Sequence, residues 1–295
     1  MTKAFRRRRW DDDDPSSFLS DADAFAAGDL LAPSDDHAPP DGVAWSSYAD
    51  ADQRGPTPAP DWLVVDGDAL DHERGILKTG KEAEVHLLER IAPDGSACLL
   101  AVKRYRSREQ RLFHRDAGYL EGRRVRRSRE MRAMANRTSI GLDIIAAQWA
   151  VAEFAALGRL WELGLPVPYP VQRDGTDLTI EFVGDGDGTA APRLAQVRPR
   201  RAELDGLWHD LWSSLTAMAE AGYTHGDLSA YNLLVHDEHV WLIDLPQIVD
   251  VVGNPQGPVF LRRDVANVAT WFAARGLPLD ADQLSADLLD RALGR

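Results

Sequence analysis

Cysteine occurs once in this 295-residue chain, at Cys98. A lone thiol excludes an intramolecular disulfide framework and any cysteine-based zinc cluster. Long apolar runs are missing as well, and nothing approaches the roughly 18 uncharged apolar residues of a membrane span. The opening "MTKAFRRRRWDDDD" is basic, but no apolar segment follows it, so it lacks the form of a secretory signal. Together these absences predict a cytoplasmic protein with no membrane association. Glutamate is absent from residues 1–60, which hold twelve Asp and six Lys or Arg. That stretch is rich in Asp, Ala, Ser and Pro and has little apolar periodicity. Too little apolar surface is available there to offset chain entropy, which predicts a mostly disordered acidic tail and linker ending at "RGPTPAP".

What is present is strongly segregated. The net charge of -13 argues against a general nucleic-acid coat. Residues 103–137 nevertheless carry thirteen Lys or Arg against four acidic residues. Such a block suits contact with RNA phosphates or an acidic partner surface, and equally suits a solvated face answering the acidic tail. From about residue 61 the pattern becomes that of a folded domain. "GILKTGKEAEVHLLER" predicts strand, glycine turn, strand, and "ACLLAVKRY" and "DLTIEFV" predict two further strands. Trp149, Phe154, Leu157, Leu160 and Trp161 recur near the helical period until Gly164 and Pro166 end the run. Leu204, Leu207, Trp208, Leu211, Trp212, Leu215 and Met218 mark a second buried stripe, closed by Gly222. A last helical region includes "RRDVANVATWFAARG". The order is a strand-rich half followed by a helix-rich half.

The chemistry concentrates in "THGDLSAYNLLVHDEHVWLIDLPQ". "NLLV" and "VWLID" predict a hairpin whose turn centre near Glu238 sets Asn232 opposite Asp244. Asp227, in the loop just before the first strand, then lies near both. Each carboxylate taken alone has a commoner role as an N-cap or turn residue. All three at this spacing make a set of hard oxygen ligands suited to Mg²⁺, which takes the rest of its shell from water and phosphates. This is the layout of a phosphotransfer site, with a loop aspartate for the acceptor and an Asn and a second Asp for the metal. His225 is expected to brace the loop.

The strand-rich half offers matching nucleotide groups. In "TGKEAEV", residues 79–85, one glycine between two strands lets backbone N–H groups approach phosphates. With a single glycine it is neither a Walker sequence nor a G-x-G-x-x-G fingerprint. Lys103 ends the apolar strand "LLAV", where an ammonium can reach the α- and β-phosphates, and Glu153 on the first helix can pair with it. Alone, each also reads as an ordinary surface charge.

Taken together these pieces resemble the RIO kinases, atypical serine/threonine protein kinases. "TGKEAEV" resembles their phosphate loop, "AVKRY" the ATP lysine segment, "EFVGDG" the interlobe hinge and "HGDLSAYN" the catalytic loop. "IDLPQ" stands at the metal aspartate, and "FLRRDVANV" resembles the start of the C-terminal helix. The resemblance runs from about residue 61 to about residue 275. It implies an α+β, bilobal protein-kinase-like fold with a β-rich N-lobe at 61–183 and a helical C-lobe at 184–295. The form is compact and lacks a long activation segment, and the basic segment near 104–140 falls where the family carries a flexible loop.

The resemblance further implies ATP and Mg²⁺ as cofactors, with Mn²⁺ as a substitute ion. Asp227 would be the catalytic base, Asn232 and Asp244 the metal ligands, and Lys103 the phosphate lysine partnered by Glu153. Thr79, Gly80, Lys81, Glu82 and Ala83 would cover the triphosphate, with Val85 closing that nucleotide set. Glu181 and Val183 would offer backbone contacts to adenine. Ser229 stands where ordinary protein kinases have lysine, as in RIO members. Departures are Lys78, where the family usually has serine, and "HGD" in place of the more frequent "HAD". The implied activity is transfer of the ATP γ-phosphate to protein Ser or Thr, including the chain's own, with the protein substrate unidentified. Two other activities fit the same residues. One is an ATPase switch acting in ribosome or ribonucleoprotein maturation, and the other is a small-molecule kinase of the aminoglycoside or choline type.

Overall fold

Among the described residues, seven strands form one antiparallel sheet, in the spatial order 43–45, 70–79, 83–91, 97–105, 177–181, 170–174, 53–54. The computed structural model describes Pro39, residues 43–105 and residues 139–294. The first part of the acidic tail and nearly all of the basic segment therefore lie outside the described residues. The central strands are β3 (Leu70–Thr79), β4 (Ala83–Ile91), β5 (Ala97–Tyr105), β6 (Pro170–Asp174) and β7 (Asp177–Glu181). β4, β5, β6 and β7 carry runs of adjacent buried residues, as in strands covered on both faces, whereas much of β3 is exposed.

The flanking strands β1 (Val43–Trp45) and β2 (Gln53–Arg54) come from the stretch expected to be tail and linker. β1 pairs with β3 and β2 with β6, so one short segment closes both edges of the sheet. Strands are thus present before residue 61, within the stretch expected to be tail and linker. The reason is tertiary. Strands of two and three residues carry no readable alternation, and they are held by edge pairing and by contacts such as Gln172 Nε2 donating to Ser47 Oγ at 2.7 Å.

Helix α1 (Ser139–Glu162) crosses from the sheet to the helical half. At one end Ile145, Ala146, Trp149 and Ala150 cluster with Ala83 and Tyr105. At the other, Phe154, Leu157 and Leu160 join Leu204, Leu211 and Leu215 of α2 (Arg201–Glu220) in the largest core. That core also holds residues of α3 (Gly257–Ala273) and Leu288 of α4 (Ala281–Ala292). A separate cluster, including Leu63, Val64, Leu88, Leu100, Tyr169 and Val171, covers the other face of the sheet. The predicted first helix, both predicted strands around the 79–85 loop and the glycine stop at Gly222 (φ +83°) are all present.

After α2 come β8 (Tyr223–Thr224) and the hairpin of β9 (Leu233–His236) and β10 (His239–Leu242). Asp237 (φ 48°) and Glu238 (φ 66°) form its two-residue turn, both left-handed as a type I′ turn requires. The turn centre therefore falls between them, Leu233 faces Leu242, and the Ile243 N–H donates to the Asn232 carbonyl at 3.1 Å. Asn232 lies opposite Ile243, one residue from the register the sequence predicted. Residues 245–256 then lead through β11 (Val249–Asp250), paired with β8, directly into α3.

Candidate active site

Lys103, near the end of β5, meets two carboxylates from different elements. Its Nζ lies 2.8 and 2.7 Å from the two oxygens of Glu153 on α1, and 2.8 Å from Asp244 Oδ1 just after β10. The Tyr105 hydroxyl donates to the same Glu153 carboxylate. Glu153 is 2% exposed, so these two donors are what make its burial tolerable. Burial alone would drive the Lys103 ammonium toward neutrality, but Asp244 and Glu153 outweigh it and hold the group charged. Tyr105 is pushed up by burial first and by the Glu153 charge second, so it stays a phenol that donates.

Asp244 has φ +67°, a left-handed conformation that an aspartate tolerates better than most residues. It ends the extended run of β10 and coincides with the carboxylate reaching Lys103. The Lys103 charge lowers its pKa to about 2 against the opposing effect of partial burial, so it is a carboxylate at any physiological pH. The opposed shifts on Lys103 and Asp244 describe one ion pair.

The loop before β9 is braced from inside. The buried His225 ring donates from Nε2 to the Ile243 carbonyl at 3.0 Å and accepts at Nδ1 from the Asp227 N–H at 3.4 Å. That pattern corresponds to the Nε2-protonated tautomer and the bracing role expected of His225. Asn232 Nδ2 donates to the Asp227 carbonyl at 2.9 Å. The loop thus sets Asp227 and Asn232 side by side.

A second brace comes from α3 and was not read from the sequence. Asp264, 1% exposed, accepts from Thr224 Oγ1 (2.8 Å), the Gly226 N–H (2.6 Å) and the Leu228 N–H (2.9 Å). Arg263 donates to the Gly226 carbonyl, and Asn267 Nδ2 to the Leu228 carbonyl at 3.0 Å. One helix face therefore satisfies the backbone on both sides of Asp227. The only signal for it was an aspartate and an asparagine one turn apart inside "RRDVANV". Gly226 has φ +83°, and a Cβ there would sit 2.1 Å from the Gln247 carbonyl oxygen. The "HGD" spelling is thus required by close backbone approach.

The 79–85 loop caps the sheet end of the cleft. The Gly80 N–H closes it by donating to the Ala83 carbonyl at 2.9 Å, and Thr79 Oγ1 reaches Glu84 at 3.5 Å. Thr79 and Lys81 are exposed, Gly80, Glu82 and Val85 are half-buried, and Ala83 is buried against Tyr105 and α1. At the hinge, the Glu181 N–H donates to the Tyr169 carbonyl and its carboxylate accepts the Tyr169 N–H. The Val183 carbonyl accepts from the Ala191 N–H at 3.0 Å. Those groups are committed to the backbone, so Glu181 and Val183 each have one fewer atom for an adenine than the sequence suggested.

The donor set fits Mg²⁺ carried with a nucleotide. Asn232 commits its N–H₂ to Asp227, which leaves its amide oxygen, and Asp244 supplies an ionised carboxylate. No group of three or more His, Cys, Asp or Glu that could hold a metal occurs among the described residues. Two protein oxygens with phosphate and water completing the shell is the usual arrangement for Mg²⁺.

Comparison with known proteins agrees with this geometry. A family model described as a RIO domain matches residues 93–284, more than half of the chain. The chain is 36% identical over 225 residues to the RIO-type serine/threonine-protein kinase Rio1 of Haloferax volcanii, covering 75% of this chain and 70% of that protein. It is 32% identical over 206 residues to the serine/threonine-protein kinase RIO1 of Caenorhabditis elegans, covering 70% of this chain and 38% of that one. The chain thus spans most of the haloarchaeal relative and well under half of the nematode one. Among solved structures, the Rio2 kinase of Chaetomium thermophilum in an ADP/Mg²⁺-phosphoaspartate complex matches with a TM-score of 0.53 at 20% identity, over 75% of this chain and 66% of that chain. That likeness supports an α+β kinase-like fold, a β-rich half joined to a helical half.

Proposed function

The chain belongs to the RIO family of serine/threonine-protein kinases, and from that premise we propose that it transfers the γ-phosphate of ATP to a protein Ser or Thr hydroxyl, its own included. One observation carries the reading. Lys103 from the sheet and Asp244 from the helical half meet at 2.8 Å, beside a loop that fixes Asp227 against Asn232.

In this reading Lys103 turns from Asp244 to the α- and β-phosphates, while Glu153 and the Tyr105 hydroxyl keep its position. Residues 79–83 and Val85 close over the triphosphate, and the Glu181–Val183 hinge borders the adenine. The Asn232 amide oxygen and the Asp244 carboxylate hold Mg²⁺, which when bound neutralises phosphate charge. Asp227 orients the acceptor hydroxyl and takes its proton as the acceptor oxygen bonds the γ-phosphorus and the bond from that phosphorus to the β–γ bridging oxygen breaks, ADP being the leaving group. Its own backbone is held by His225 and Asn232, and its neighbours Gly226 and Leu228 by Asp264 and Asn267, so the loop is set before substrate arrives.

A hydrolytic switch is the second reading, favoured by the short connection from Asp244 to α3. Residues 245–256 run through β11 straight into that helix and leave no platform for an extended peptide. Water would then take the acceptor's place. The basic segment 103–137 would contact ribosomal or RNA phosphates, giving binding that weakens steeply with salt.

The test is to incubate wild type and Asp227→Ala with Mg²⁺-ATP and follow autophosphorylation, free phosphate and transfer to lysate proteins and aminoglycosides. Protein labelling lost in the variant supports the kinase reading. Phosphate release without labelling supports the switch, and transfer to an aminoglycoside overturns both.

A further inference from the structure

Lys78 is where the phosphate loop departs from the family pattern, and the sheet register puts that departure in the cleft. Lys78 on β3 stands opposite Val85 on β4, and Val85 stands opposite Lys103 on β5. Residues directly opposite in antiparallel strands share a face. Lys78 therefore projects from the same face as Lys103, two strands further out, immediately before Thr79 and Gly80 of the loop.

Arg193 approaches from the helical half. Its backbone bridges to Leu234, the Val235 N–H donates to the Pro192 carbonyl at 2.9 Å, and the Ala195 N–H donates to the Ala230 carbonyl at 2.9 Å. Arg193 is thus tied to the strand that follows the catalytic loop, two residues from Asn232 in register. Lys78 lies within electrostatic reach of Arg193, Asp244, Lys103 and Glu82. The cleft wall strips part of the hydration from Lys78 and lowers its pKa, and Arg193 lowers it further, while Asp244 pulls it up. The side chain still reaches solvent. Two cations facing across a cleft repel, and an anion between them turns that repulsion into two attractions. The Lys103 side chain is 13% exposed and bound to Glu153 and Asp244, whereas Lys78 reaches solvent, so the outer pair is placed for a phosphate beyond those that Lys103 serves.

We propose that Lys78 and Arg193 form a cross-cleft clamp on the terminal phosphate of the nucleotide, giving this chain a preference for nucleoside triphosphate over diphosphate. The clamp rests on the nucleotide-binding reading above. Its ligand is the outermost phosphate because Lys103 serves the inner two, and because the triphosphate brings the larger negative charge to the cleft mouth.

The test is calorimetric titration of the full chain with Mg²⁺ and either a non-hydrolysable ATP analogue or ADP. Variants are Lys78→Ala, Lys78→Ser, Lys78→Arg and Arg193→Ala. The expected result is triphosphate affinity weakened about tenfold in Lys78→Ala, Lys78→Ser and Arg193→Ala, the size of one lost charge-assisted hydrogen bond. ADP affinity should change less than about twofold, and Lys78→Arg should retain the wild-type preference. Equal weakening toward both nucleotides, or unchanged affinity for the triphosphate, overturns the clamp. A wild-type chain that binds neither nucleotide overturns the nucleotide reading itself, an outcome separate from a variant-specific failure.

Discussion

The Lys103 ammonium lies 2.8 Å from the Asp244 carboxylate, although 141 residues of chain separate them. The contact links the sheet to the hairpin of the helical half and sets the charge of both groups. It also makes Lys103 the counter-ion of Asp244, which avoids leaving either charge bare in a partly buried setting.

Replacing Asp244 by Asn removes the ionised carboxylate proposed to hold Mg²⁺ and leaves the Lys103–Glu153 pair in place. Mg²⁺-ATP turnover is expected to fall by about 100-fold or more, as when a single charge-stabilising group is lost from an active site. Steady-state phosphate release measures it, and near-normal turnover would refute the metal assignment.

The Lys103 charge holds the Asp244 carboxyl at about 2 in the folded chain, below the ordinary 3.8 of an aspartate. Because the folded pKa is depressed, the pair's contribution to stability is complete above the unfolded value and is lost as pH falls toward the folded one. In Lys103→Met the largest lowering influence is gone, so the midpoint is expected to rise toward or past 3.8. Carbon-detected NMR of the Asp244 carboxyl would report it; an unmoved midpoint would mean that Lys103 does not set the charge.

Asp264→Ala leaves the Gly226 and Leu228 N–H groups and the Thr224 hydroxyl without their shared acceptor. The expected loss is about 2–4 kcal/mol of stability, from buried donors left unsatisfied. Denaturant unfolding gives the value, and a wild-type midpoint would show that the loop is held by something else.

Gly226→Ala forces a Cβ toward the Gln247 carbonyl at a backbone angle suited to glycine. A cost of about 1–3 kcal/mol is expected for the strained conformation. Since Asp227 is the next residue, kcat should fall more than KM rises. Unchanged kinetics would show that the close approach is dispensable.

Deleting residues 1–55 removes β1 and β2 and uncovers both edges of the sheet. The melting temperature is expected to drop by about 5 °C or more, the effect of losing a few kcal/mol. A wild-type melting curve would restore the simpler view of this stretch as a tail.

The candidate site was legible to the extent that local pattern encodes it. Lys103 ends an apolar strand, Glu153 sits on a periodic helix, and Asp227, Asn232 and Asp244 are spaced around a hairpin. Tyr105 was legible only as an aromatic strand end, because nothing local says that its hydroxyl will find a carboxylate 48 residues away. Asp264 read as one more helix aspartate for the same reason. The hairpin register was missed by one residue because it depends on two left-handed residues, Asp237 and Glu238, neither of them glycine. β6 went unread, since it begins with Pro170 after a proline-containing run and gains its definition from β7.

The sequence by itself determined the order of strand-rich and helix-rich halves, the family and the residues that make up the candidate site. Those depend on periodicity and motif spacing, which are properties of neighbouring residues. Tertiary structure alone decided that Lys103 pairs with Asp244, that α3 holds the catalytic loop and that a segment before residue 61 completes the sheet. Each is a contact between distant parts of the chain, and it becomes favourable only when the whole core brings them together.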